Sequence, residues 1–142
     1  MNRFHAGSAI VPIDFSAQSF SAVDTALEIV ARPAHVTALH ILPVLNPTEF
    51  GGTWEEARDS VRQTNMENAL RDEFSKDQYE GIQFAVSFGD PGSEIAKYAE
   101  EHDAELVVIP SHGRTGMKRL LMGSVAERVC RLVHCPVLVL KS

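Results

Sequence analysis

A chain of 142 residues with 44% hydrophobic and 23% charged side chains has the size and balance of one globular domain, spanning 1–142; at that size about two-thirds of the unfolded surface is buried. A formal charge of −6 and a pI near 5.4 exclude the basic face that nucleic-acid binding uses. No apolar run approaches the roughly 20 residues of a membrane span, and residues 1–7 lack the basic start and apolar core of a secretory signal, so a cytoplasmic protein is expected.

Taken in order, Ser8–Ile13 is a short apolar run without alternation, as expected of a strand buried on both faces. Pro12 cannot donate to a ladder and marks its carboxyl end. Asp14-Phe15-Ser16 then turns the chain into a helix capped by Ser16 or Ser19, with Phe20, Val23, Leu27 and Val30 as its apolar stripe. Arg32-Pro33 ends that helix. Val36–Val44 is a second strand, and residues 46–52, with Pro47, Gly51 and Gly52, form a mobile loop. From about Thr53 to Phe74 a long helix carries Trp54, Ala57, Val61, Leu70 and Phe74 on one side. Glu55, Glu56, Arg58, Asp59, Arg62 and Glu67 form its solvated face. Ile82–Phe88 is a third strand closed by Gly89-Asp90-Pro91-Gly92, after which Ser93 caps a helix that buries Ile95, Ala96 and Ala99. Leu106–Ile109 is the fourth strand and Val137–Leu140 the fifth. Strands alternating with helices imply a parallel sheet with helices on both faces, an open Rossmann-like α/β fold. Cys130, in a helical pattern, and Cys135, before Pro136, read as small buried residues rather than a disulfide or a metal pair.

The stretch from Leu106 to Cys130 organises the rest. A buried strand (LVVIP) is followed by a glycine-bearing polar loop and then a helix that opens at Gly123-Ser124. A helix start offers unpaired N–H groups and the positive end of the macrodipole, and glycines admit a ligand close to the backbone. Arg114, Lys118, Arg119, Arg128 and Arg131 are opposed locally only by Glu127. A positive segment on a negative protein points to a specific small anion. Ser124-Val125-Ala126-Glu127 also fits a capping box, in which the Ser124 hydroxyl serves the helix itself. His112 and the other histidines lack partners at metal-ligand spacing, so no metal or catalytic histidine is assigned.

Pro12-Ile13-Asp14-Phe15-Ser16, Ser111-His112-Gly113-Arg114-Thr115-Gly116 with Gly123-Ser124, and Cys135-Pro136-Val137-Leu138-Val139-Leu140 together resemble the universal stress protein family over nearly the whole chain. The resemblance implies the strand order 3-2-1-4-5, a homodimer paired through the last strand (137–140), and in some members bound ATP. Nucleotide-binding members share G-x-x-G, nine residues, then G followed by S or T. Gly113, residues 114–122 and Gly123-Ser124 match that pattern, whereas Pro110 stands at its first glycine.

If that glycine only lets the strand end pass the ribose, proline is tolerated. If its N–H bonds the nucleotide, one hydrogen bond is lost, about 0.5–1.5 kcal/mol. The resemblance further implies that Asp14 lies by the adenosine, accepting from ribose or helping to position Mg²⁺, and that the Ile41 backbone meets the adenine edge. It gives Gly113, Gly123, Ser124, Val125 and Ala126 contact with phosphates, and puts Arg114 and Lys118 within their reach. The implied protein is an ATP-binding stress or signalling dimer with an unidentified protein partner and no robust catalysis. A dimeric interaction module that binds no nucleotide, and a slow ATPase, are the alternatives. A P-loop GxxxxGK[ST] is absent.

Overall fold

The strands are β1 (Ala9–Pro12), β2 (Val36–Leu42), β3 (Gln83–Phe88), β4 (Val107–Pro110) and β5 (Val137–Leu140). In the computed structural model they form a parallel sheet in the order β3-β2-β1-β4-β5, as the resemblance implies. The structure describes residues 5–45, 54–113 and 122–141, with the backbone alone at 54–57. The predicted mobile loop at 46–52 lies outside the described residues. β1 and β4 are buried at every position, which is why their sequences run apolar without alternation. β5, an edge strand, is half-buried throughout.

Among the described residues the helices are α1 (Ala17–Ile29), α2 (Trp54–Glu73), α3 (Pro91–Glu101) and α4 (Ser124–Leu132). One core cluster packs α1 and α2 on the sheet through Val11, Val23, Ala26, Leu70, Phe74 and Val108. The other packs α3 and α4 on the opposite face through Leu39, Ile95, Ala99, Ile109, Ala126 and Val129. Crossovers therefore lie on both faces, as the alternation of strands and helices predicts. Tight seating of α1 comes from small residues. Ser19, Ala22, Val23 and Ala26 are its buried line, while Phe20 and Leu27 of the predicted stripe are only partly buried. Ser16 rather than Ser19 is its cap, accepting from Ser19 N at 3.1 Å.

Four local expectations are corrected. Ser93 does not cap α3. Asp90 does, accepting from Ser93 N at 3.1 Å, so that Pro91 occupies the first turn, where its missing N–H costs nothing. Ser124 is not a cap either. Gly123 holds that position without a side-chain cap bond, and Glu127 pairs with Arg131 instead of closing a box.

Val61 is 59% exposed, whereas Arg62, expected on the solvated face, turns toward β2 and β3. Its guanidinium donates to Pro43 O at 3.0 Å, pairs with Asp59 at 3.3 Å, and stands 5.6 Å from the Phe88 ring centroid. The inward row of α2 steps by four through Arg62, Met66, Leu70 and Phe74, and an arginine stem covers apolar surface as well as a valine does. Cys130, finally, is exposed rather than buried, because α4 turns Ala126 and Val129 inward; Cys135 is half-buried, and both thiols are free.

Candidate functional site

The site begins where β1 and β4 part. Their register holds one pair, Ile10 with Val107. Ile10 N donates across to Leu106 O, whereas Ile13 N donates to Leu39 on the other side. With a period of two, the nitrogen of Pro12 therefore faces β4. On β4, Val107 N and Ser111 N both donate to the β5 side, to Pro136 O and Leu140 O, so the nitrogen of Pro110 faces β1. The two donors that would carry the β1–β4 ladder onward are thus both prolines. The strands separate there, at the reversal of strand order where α/β sheets bind ligands.

A crevice of about 320 Å³ opens at that fork, large enough for a small organic ligand. Its walls are mainly apolar, with Ile13, Leu39, Ile41, Ile95, Ile109 and Pro110 among them, and Asp14, His112 and Ser124 are polar residues of its lining. Of the residues predicted from sequence, Pro12, Ile13, Asp14, Ile41, Pro110, His112, Gly113, Gly123, Ser124 and Val125 line it. Arg114, Thr115, Gly116 and Lys118 lie outside the described residues.

Ser111 is the exception. It is buried, its amide serves β5, its hydroxyl lies 3.1 Å from His112 Nδ1, and its carbonyl accepts from Gly123 N at 2.5 Å. That last bond ties Ser111 to Gly123 and seats the first turn of α4 at the mouth. Ala126, to which the resemblance gives a phosphate contact, lines it too, as do Leu39, His40 and Ile95, for which the sequence carries no site signal.

Asp14 is held by its own turn. Its Oδ1 accepts from Ser16 N at 3.0 Å and from Ser16 Oγ at 2.5 Å. Its Oδ2 faces Gly113, where a Cβ would stand 2.7 Å away. The next residue, Phe15, has φ of 63°, left-handed for an aromatic side chain. Such a conformation costs on the order of 1–3 kcal/mol and persists only where surroundings enforce it.

Opposite, Gly123 at the cap makes no side-chain bond to the first N–H groups of α4, and Ser124, Val125 and Ala126 meet the crevice. A Cβ on Gly123 would touch Ser111 O at 3.4 Å, so this glycine is compatible with a side chain in the fold itself. Ile41 sits two residues beyond the last β1–β2 pair, Pro12 with Leu39, and its peptide faces the same side as that of Leu39, toward the crevice.

The positive segment is less positive in space than along the chain. Arg128 pairs with Asp90 at 3.1 Å and donates to Ser93 Oγ, and Arg131 pairs with Glu127. The opposing Asp90 comes from α3, which counting along the sequence could not reveal. Among the described residues no group of three or more His, Cys, Asp or Glu could hold a metal ion, and no helix is long and apolar enough to cross a membrane.

Residues 7–141 match the family model described as the universal stress protein family. The universal stress protein MJ0531 of Methanocaldococcus jannaschii is 34% identical over 139 residues, covering 93% of this chain and 80% of that one. The solved structure of MJ0577, from the same organism, superposes with a TM-score of 0.76 over 96% of both chains at 25% identity. A universal stress protein solved in complex with cAMP shares the fold, with a TM-score of 0.67 over 95% of this chain and 97% of that one at 20% identity.

Proposed function

The chain belongs to the universal stress protein family, and from that premise we propose that its crevice binds an adenine nucleotide, ATP with Mg²⁺, as a signalling ligand rather than as a substrate in rapid turnover. The observation that carries this reading is the opposition of two unlike ends in one cavity. Asp14, its Oδ1 bonded to Ser16 and its Oδ2 facing Gly113, stands at one side, and the N-terminus of α4, with a glycine at its cap, at the other. A carboxylate accepts from ribose hydroxyls, whereas helix N–H groups favour phosphate. The apolar walls between them suit a base, and the Ile41 peptide supplies an edge to pair with it. Mg²⁺ would arrive with the phosphates and add charge there. Arg114 and Lys118 are proposed as further phosphate partners, and β5 as the strand through which two copies pair in a cytoplasmic homodimer.

Calorimetric titration with ATP and Mg²⁺, with cAMP in parallel, tests the reading. Saturable heat at micromolar to submillimolar ATP is expected. No heat and no thermal shift at millimolar nucleotide would remove it. One observation favours a second reading, a dimeric module that binds no nucleotide: the N–H missing at Pro110 faces the crevice. A purified dimer whose absorbance at 260 nm shows no bound nucleotide would support that module.

A further inference from the structure

We infer that His40 is a positioning residue for the nucleotide site: its Nδ1–H bond to Ile13 O, and its ring against Phe15, hold the β1–α1 turn in the shape that presents Asp14 to the crevice. The inference rests on the nucleotide reading above and deepens it. Alternation along β2 puts Leu39 and Ile41 on the α3/α4 face and His40 with Ala38 and Leu42 on the α1/α2 face. His40 thus acts mainly from behind the crevice wall.

Its Nδ1 lies 2.6 Å from Ile13 O. A carbonyl only accepts, so Nδ1 carries the hydrogen and the neutral ring is fixed as the Nδ1–H tautomer. The imidazole also meets the Phe15 ring edge-on, with centroids 5.0 Å apart. Both neighbours of Asp14 are therefore gripped by one side chain. Phe15 is the residue whose left-handed backbone needs enforcing, and Phe20 adds a second edge-on contact at 5.9 Å. The same bond occupies the Ile13 carbonyl where the β1–β2 register stops, leaving the Ile41 peptide two residues past the last ladder pair. Asp14 and Ile41, proposed for opposite ends of the adenosine, thus share one support.

Three proteins and two measurements test this. His40→Asn keeps an amide N–H at the place of Nδ1 without the ring, and His40→Leu keeps apolar bulk without the donor. ATP titrations are run at a temperature where circular dichroism shows all three folded. Loss of the donor is expected to weaken binding about tenfold in His40→Leu, with His40→Asn within about threefold of the wild type. Affinity unchanged in His40→Leu, or reduced equally in both variants, would overturn the positioning role. No binding by the wild type would instead overturn the nucleotide reading. Nitrogen-15 NMR of the ligand-free protein at pH 8.5 then decides the donor by itself: protonated Nδ1 is expected, and protonated Nε2 would overturn it.

Discussion

Gly113 and Asp14 face each other so closely that a methyl group on Gly113 would lie 2.7 Å from Asp14 Oδ2. Real side chains do not approach that near, so Gly113→Ala must push the carboxylate aside. Losing one charge-assisted hydrogen bond is worth about 1.5–3 kcal/mol, or about 10- to 100-fold in affinity. Gly123→Ala is the control. The atom nearest its Cβ would be Ser111 O at 3.4 Å, an ordinary contact, so the fold should lose only the preference of a helix cap for glycine over alanine, about 0.5–1 kcal/mol, while phosphate access is lost. Calorimetry and thermal melts on both variants separate the two effects. A Gly113→Ala protein that binds like the wild type would contradict the arrangement.

Pro110 turns its missing N–H toward the crevice. Pro110→Gly restores that donor and is expected to strengthen ATP binding by about 2- to 10-fold, while lowering the melting temperature because the unfolded chain gains freedom. Unchanged affinity would mean that no ligand atom reaches this position.

Asp90 joins α3 to α4 through Arg128, and the link should be visible in acid. The Ser93 backbone N–H, then the Ser93 hydroxyl, hold the Asp90 carboxyl below its ordinary value of 3.8, with Arg128 adding to the effect. A depressed carboxylate stabilises the fold above that ordinary value, and the contribution disappears as pH falls through the depressed one. Asp90→Asn keeps an acceptor at the cap but cannot titrate. Its melting temperature should therefore fall less steeply than the wild type's below about pH 4. Parallel acid limbs would contradict the assignment.

The two thiols should differ in reactivity. Cys130 is exposed on α4, whereas burial pushes the Cys135 thiol up and reduces its thiolate at a given pH. A disulfide reagent at pH 8 is expected to label one thiol fast and one slowly, with Cys130→Ser removing the fast phase. A fast phase that survives Cys130→Ser would contradict it.

Much of the architecture was legible because buried parallel strands write themselves as apolar runs between turn residues. The strand order was not. It needed the resemblance, since periodicity carries no information about neighbours. What could not be read was whatever depends on a partner far along the chain. Ser93 looked like a cap until Asp90 took the role, and Arg128 looked like an uncompensated charge until the same Asp90 met it. Val61 and Arg62 exchanged expected faces because helical position, not residue polarity, decides which stem covers Phe88. Along the sequence, Pro12 marks only a strand end. That its nitrogen faces β4 while that of Pro110 faces β1 at the fork is a relation between two strands that only the sheet register reveals.

Amide shifts in a two-dimensional NMR titration with ATP and Mg²⁺ test the central claim most directly. Saturable perturbations are expected at Asp14, Ile41, Gly113 and Gly123 through Ala126, with little change along β3 or the far end of α2. Perturbations confined to other surfaces, or none at millimolar ATP, would contradict a nucleotide held between Asp14 and the start of α4.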